Sequence, residues 1–447
     1  MRIAIIGSGI AGLSCAWLLN KAHDITVYEV DDRPGGHSHT VIMPTTSGDV
    51  PVDTGFIVYN ERNYPNLTAL FQHFDVPTIA SSMSFGVSLD GGRFEYSGSE
   101  TYGTLFAQKS NLLRPTFHKM LADIIRFNAA AERFLRESNP SDSPTIGEFL
   151  VRGRYSSAFC DRYLLPMSAA IWSASPDGIR TFPAKSFLQF FKNHGLISLN
   201  ARPEWRTVRG GSVAYVNRLT ETFKDRLWLG NGVRRLSRHG ETVILEDSRG
   251  HTLDYDAVVL ACHADQALAL IETPTTAERE ILGAFYYQPN DVFLHSDPNL
   301  MPKRRAVWSS WNYLANTTKP RESKVSVTYW LNNLQRLECD QLALVSLNPM
   351  EEPDQDHLIA TMQYDHPLFD QRALDAQHRL PEIQGRHRLW FAGAHWGFGF
   401  HEDGLLSGLQ VAAALGVAPP WWPNVAPLIT NRSFEEKQLQ EAAVGAD

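Results

Sequence analysis

The stretch Arg2-Ile3-Ala4-Ile5-Ile6-Gly7-Ser8-Gly9-Ile10-Ala11-Gly12 decides the fold. Its apolar run predicts a short buried strand, its glycines a tight turn, and the residues from Leu13 to Asn20 a helix. Strand, glycine turn and helix in that order make the opening of a βαβ unit that binds a dinucleotide. Gly7 permits the turn, Gly9 lets backbone N–H groups approach a pyrophosphate, and Gly12 lets the helix pack closely on the sheet, its positive N-terminus facing the phosphates. A second strand, Ile25-Thr26-Val27-Tyr28, ends in Glu29, where a carboxylate can accept hydrogen bonds from the adenosine ribose.

The rest of the composition fits a large globular protein. A chain of 447 residues with 43% hydrophobic content is long enough for two lobes. A formal charge of −8 with no Lys/Arg block argues against nucleic acid as a partner, because such binding rewards concentrated positive charge. Cys15, Cys160, Cys262 and Cys339 are far apart and lack metal-ligand spacing, so we expect isolated thiols, no metal site and a cytoplasmic protein. The apolar start is interrupted by Gly7, Gly9 and Gly12, unlike a signal sequence, and no run reaches the roughly 18 apolar residues of a membrane span.

Three separated segments then carry a resemblance. Asp31-Asp32-Arg33-Pro34-Gly35-Gly36 follows the acidic residue directly; Trp205-Arg206-Thr207-Val208-Arg209-Gly210-Gly211-Ser212 precedes a helix to about Phe223, a strand near Leu227 and β runs up to Ala261; Leu389-Trp390-Phe391-Ala392-Gly393-Ala394-His395 reads as a strand ending at a glycine, with a helix expected from Gly404 to Leu415. Together these resemble the flavin amine oxidoreductase superfamily, which includes monoamine oxidases and carotenoid desaturases. The resemblance implies an α/β fold: a discontinuous Rossmann-like FAD-binding domain over residues 1–60, 200–280 and 385–420, a mixed α+β substrate domain over 61–199 and 281–384, and a tail over 421–447. It implies FAD as cofactor, held by Gly7, Gly9, Ile10, Ala11, Gly12, Glu29, Arg33, Gly35, Gly36 and His37 at the start of the chain. Val233 would contact adenine, and Gly393, Glu402, Asp403, Gly404 and Leu405 would complete the site, the last helix pointing its positive end at the flavin pyrimidine ring.

Residue by residue the chain is most similar to a bacterial branch associated with modifying acyl chains of membrane lipids. The shared runs are Asp53-Thr54-Gly55-Phe56-Ile57-Val58, Asn63-Tyr64-Pro65-Asn66-Leu67, Met83-Ser84-Phe85, Ile171-Trp172-Ser173, Asn193-His194-Gly195-Leu196 and Gly399-Phe400-His401-Glu402-Asp403-Gly404. A hydrophobic small-molecule or lipid substrate is what that resemblance implies. Amine oxidases of the superfamily often carry Gly-Tyr-x-Glu-Gly, whose tyrosine forms half of an aromatic cage; here Phe400 stands in its place without a hydroxyl, in a run one residue longer. Phe400, Trp396, Trp172 and His194 are the candidate substrate contacts, although His194 reads more readily as a core histidine. Hydride transfer to flavin N5 accompanied by proton loss calls for a base, and His401, Glu402 and His395 are the candidates; Glu402 and Asp403 have the alternative of capping the following helix, and His395 that of bonding the cofactor. Trp421 and Trp422 offer either a peripheral contact with the inner membrane or packing on the FAD lobe.

Overall fold

The structure is a computed structural model and describes residues 1–98, 102–137, 144–197, 203–317 and 325–422. Five parallel strands form the first sheet, in the order Leu227–Trp228, Asp24–Tyr28, Arg2–Ile6, Ala257–Leu260 and Leu389–Phe391. Every strand of this sheet ends on the same side, where the glycine turn lies. The sheet therefore draws on the beginning, middle and end of the chain, and the α/β reading with a discontinuous Rossmann-like half holds. The first helix, Ile10–Leu19, begins three residues earlier than the apolar pattern suggested, and all ten of its residues are buried. Its burial on every side explains why it has no polar face to read in the sequence.

Close backbone approaches lock this half together. A Cβ on Gly12 would lie 2.0 Å from the Gly7 carbonyl oxygen, and one on Gly408 would lie 2.2 Å from the Ala11 carbonyl oxygen. Helix Ile10–Leu19 thus touches the glycine turn on one side and the closing helix, His401–Ala414, on the other. Neither approach is possible with a side chain larger than hydrogen.

The second half is a seven-stranded mixed sheet with a helical layer. Strands Leu358–Leu368, Tyr286–His295, Leu344–Leu347, Ser326–Trp330 and Trp311–Ala315 run antiparallel to their neighbours, and Phe85–Leu89 joins Trp311–Ala315 in parallel before pairing with Phe94–Ser97. Helices Pro115–Glu137, Ile146–Arg152, Leu165–Trp172 and Ala184–Asn193 share its core. Helix Pro65–His73 falls in the segment assigned from sequence to the substrate lobe, yet its Leu67, Leu70 and Phe71 pack in the core of the parallel sheet.

Buried Asp53 ties the halves together. Its carboxylate accepts hydrogen bonds from Thr40 Oγ1 at 2.6 Å, Ser212 N at 2.9 Å, Ser212 Oγ at 2.8 Å and Gln335 Nε2 at 2.8 Å. Burial nevertheless pushes its pKa up to about 6, against the pull of those donors.

Candidate active site

The glycine turn sits at the carboxyl end of Arg2–Ile6, held by Gly7 N donating to the Tyr28 carbonyl at 2.8 Å. Glu29 folds back over it: one carboxylate oxygen accepts from Ser8 N at 2.8 Å and Ser8 Oγ at 2.6 Å, and the other from Asp31 N at 3.0 Å. A carboxylate has about four lone-pair directions and three are taken, so the oxygen that accepts from Asp31 N can still accept from a ribose. Asn231 N donates to the Glu29 carbonyl at 2.8 Å, which brings the segment leading to Val233 alongside the same residue. Arg33 Nη1 donates to the Gly36 carbonyl at 2.9 Å. Gly35 and Gly36 have φ of +113° and +55°, values that side chains rarely adopt, and a Cβ on Gly36 would lie 3.2 Å from the Gly9 Cα.

Two observations test whether these residues fit a dinucleotide. A Cβ on Gly9 would meet no atom within 4 Å, so the turn opens on free space at the position where a pyrophosphate must approach. Two buried imidazole nitrogens, His37 Nε2 and His395 Nε2, have no hydrogen-bond partner among the described residues. An open glycine cradle and unpaired buried ring nitrogens fit a polar ligand laid across the turn.

The closing segment departs from the sequence reading in its register. The helix starts at His401 because Asp403 accepts from the N–H groups of Phe398 and Phe400, at 3.0 and 2.9 Å, and caps the first turn. Asp403 therefore serves as a cap, the alternative left open above. Gly404 faces Ile10 and Ala394, a Cβ there lying 3.1 Å from Ile10 Cγ2, and Leu405 is fully buried. Gly393 N donates to Ser407 Oγ at 2.8 Å, joining the strand end to the second turn of the helix.

Glu402 turns away from the helix axis to another element. Its carboxylate accepts from Asn66 N, Asn66 Nδ2 and Leu67 N, each at 2.9 Å, and so caps helix Pro65–His73 from outside. Burial pushes Glu402 up to about 7 and Asp403 up to about 6. Asn66 Oδ1 in turn accepts from the indole N–H groups of Trp421 and Trp422, at 3.2 and 3.1 Å, while Trp421 stacks on Trp17 with ring centroids 5.8 Å apart. The two tryptophans are thus packed on the first lobe; residues 423–447 of the tail lie outside the described residues.

The remaining candidate bases are sequestered as well. His401 stacks on Phe56 at 3.9 Å and shares a hydrogen bond with Tyr215 OH at 2.8 Å, and Tyr215 OH is bonded to Ser38 Oγ. His395 packs on Phe285 at 5.1 Å. Burial pushes both imidazoles down to about 3, helped at His395 by nearby His263. An imidazole that weak is a poor proton acceptor near neutral pH.

The aromatic contacts separate the substrate candidates. Phe190 stacks on Phe400 at 5.0 Å and on His194 at 3.9 Å, and Trp172 lies 4.7 Å from Phe190. Phe400, His194 and Trp172 therefore share one wall. Trp396 does not join them; it packs against the core beneath the parallel sheet. Tyr215, Tyr364, His263 and His366 were not found from sequence. His37 packs on Tyr364 at 4.9 Å and on His366 at 5.5 Å, and His39 Nδ1 bonds Tyr364 OH at 2.8 Å. No local pattern marks these residues, because strands far apart in the chain bring them together.

The histidines give the protein a defined response to acid. Burial pushes His39, His194 and His366 down to about 4 and His395 and His401 to about 3, and it lowers His37 and His263 too. A histidine depressed on folding stabilises the protein fully above its unfolded pKa near 6.5, and that stability is lost as pH falls toward the folded value. Raised Asp53, Glu402 and Asp403 act oppositely, weakening the fold as pH rises from about 4 to 7. The depressed imidazoles outnumber the raised carboxyls, so stability should fall as pH drops from 6.5 to 4.5. Chemical denaturation of the apoprotein between pH 6.5 and 4.5 measures this slope; stability that rises on acidification would show that the carboxyls dominate.

Known proteins agree with this arrangement. Among solved structures, the fold is similar to a CLA-producing fatty acid isomerase from P. acnes, with 17% identity, TM-score 0.65 and coverage of 93% of this chain and 99% of that one. It is also similar to cyclohexylamine oxidase from Brevibacterium oxydans IH-35A, with 16% identity, TM-score 0.64 and coverage of 93% and 98%. The profile of the family described as flavin containing amine oxidoreductase matches residues 10–416, from the start of the first helix through the middle segment to the closing helix. The chain belongs to that family, and it is an FAD-dependent oxidoreductase.

Proposed function

We propose that the enzyme oxidises or desaturates a hydrophobic, fatty acyl or lipid substrate. The observation that carries this reading is a small cavity of about 10 Å³ walled by Trp172, Phe182, Pro183, Ser186, Phe187, Phe369, Leu374 and Phe398, beside the Phe190–Phe400 stack. None of these side chains is charged, so no carboxylate in the wall pairs with an ammonium group. Bound FAD supplies a hydride acceptor. The protein's own part is to hold an apolar chain against Phe400 and Phe190 and to keep water from the reacting carbon. Trp172 adds one directional contact: its ring is 6% exposed, and Nε1 has no hydrogen-bond partner among the described residues. An unpaired indole N–H in an apolar pocket suits a carbonyl or hydroxyl oxygen on the substrate.

Anaerobic mixing of the holoenzyme with a panel of unsaturated lipids and simple amines is the direct test. Bleaching of the flavin by lipids supports the proposal, and bleaching by amines alone overturns it. A second reading, redox-neutral double-bond isomerisation, draws support from the likeness to the fatty acid isomerase fold. It predicts product without stoichiometric O₂ uptake. On the first reading, Trp172→Phe keeps an aromatic ring and raises KM about five-fold, since one lost hydrogen bond is worth ~1 kcal/mol. An unchanged KM would remove Trp172 from substrate recognition.

A further inference from the structure

The outer face of helix Pro115–Glu137 and the 3₁₀ turn before it, Lys109–Leu113, have a character unlike the rest of the molecule. Residues 109–137 hold six lysines and arginines against three carboxylates, in a chain whose formal charge is −8. Of those carboxylates Asp123 is buried, where it accepts from Ser156 N at 2.9 Å and pairs with Arg126 at 3.2 Å, leaving Glu132 and Glu137 as the acidic residues exposed. Lys119, Arg133 and Arg136 are exposed and form no ion pair with any described residue.

Large apolar side chains stand among these cations. Leu113 is 87% exposed, Leu112 50% and Ile125 64%; Val151, at the neighbouring helix Ile146–Arg152, is 74% exposed. The leucine turn is held rigidly. His118 Nε2 bonds the Leu112 carbonyl at 2.8 Å, and buried Asn111 donates to the Glu95 carbonyl at 2.9 Å. The neighbouring helix is held close by Arg126, whose Nη2 donates to the Gly153 carbonyl at 2.9 Å. A single exposed leucine needs no explanation, but an adjacent pair fixed at the tip of a basic helical face does.

We propose that this face docks the enzyme on an anionic lipid bilayer. Leu112 and Leu113 enter the boundary of the acyl region, and Lys119, Arg133 and Arg136 meet the headgroup phosphates. A negative bilayer surface complements these cations, whereas a two-fold dimer through the same face would set them against the identical cations of a second copy. Helix Pro115–Glu137 packs directly on Ala184–Asn193, whose Phe187 lines the aromatic pocket, so the docked face lies one helix away from that pocket. Docking does not depend on what the active site oxidises.

Flotation of the holoenzyme with vesicles tests the surface. Wild type should float with phosphatidylcholine–phosphatidylglycerol vesicles, far less with phosphatidylcholine alone, and less as salt is raised. The double variant Leu112→Ser/Leu113→Ser, and separately Lys119→Glu/Arg133→Glu, should each lower the bound fraction about ten-fold while keeping the wild-type melting transition. No binding to mixed vesicles, equal binding to neutral ones, or variants that float like wild type would each overturn the proposal. So would a concentration-dependent dimer abolished by Leu113→Ser, which would assign the face to a second copy. Flavin bleaching by detergent-dispersed substrate is read on the same variants and should be unchanged. Failure of the substrate assignment appears there, and failure of docking appears only in flotation.

Discussion

Gly9→Val is expected to give a folded protein that purifies without its yellow colour. The backbone at Gly9 has φ −68° and ψ 179°, which a valine adopts readily, and its Cβ would meet nothing within 4 Å. The folded polypeptide therefore has room for the side chain, and the fold should lose no more than about 1 kcal/mol from a poorer N-cap. The isopropyl group would instead occupy the space into which a pyrophosphate must come. Gly12→Ala makes the contrast. Its Cβ would sit 2.0 Å from the Gly7 carbonyl oxygen, so the first helix must shift off the sheet, at a cost of about 3 kcal/mol whether or not FAD is bound. The ratio of flavin to protein absorbance and the denaturation midpoints of the two apoproteins separate these outcomes. A Gly9→Val protein that keeps its flavin would sink the assignment of the turn to the cofactor.

Glu402→Ala should be among the most destabilising single changes in the closing helix. It removes the acceptor of three buried donors, Asn66 N, Asn66 Nδ2 and Leu67 N, and leaves the start of helix Pro65–His73 uncapped. Each unpaired buried donor costs about 1 to 3 kcal/mol, so a loss of about 3 kcal/mol or more is expected. Asn66 also holds the indoles of Trp421 and Trp422, so their fluorescence should change before global unfolding. Glu402→Gln, which keeps an acceptor oxygen, should recover part of the loss. If instead Glu402→Ala melts like wild type and only turnover falls, Glu402 acts as a base and the capping account is wrong.

What could be read from the sequence follows how local each constraint is. Gly7, Gly9 and Gly12 announce themselves because backbone sterics act within a few residues, and the structure shows a physical reason at each. Glu29 follows because strand length sets its distance from the turn. The closing helix was legible as an element, yet its start was misplaced by three residues. The cap comes from Asp403 reaching back to Phe398 and Phe400, and that shift places Glu402 and His401 in the first turn. Trp396 was grouped with Phe400 by proximity in sequence, whereas the 3₁₀ turn Ala394–Trp396 sends it to the opposite core. The contacts of His37 with His366 and Tyr364 had no signature, since residues more than 300 positions apart make them.

The order of strands in the parallel sheet has a consequence for how the enzyme is made. Arg2–Ile6 pairs with Ala257–Leu260, which in turn waits for Leu389–Phe391, and the helix that completes the glycine cradle begins only at His401. At about 5 to 20 residues per second, a ribosome needs roughly 20 to 70 s after finishing Gly36 before that helix exists. During translation the half-built nucleotide site has no partner for its first helix, and the nascent chain must keep an all-apolar surface from aggregating. Flavin loading is therefore expected only once the closing helix has been made. A shortage of FAD in the cell should show first as loss of newly synthesised enzyme, before any fall in the activity of the mature pool.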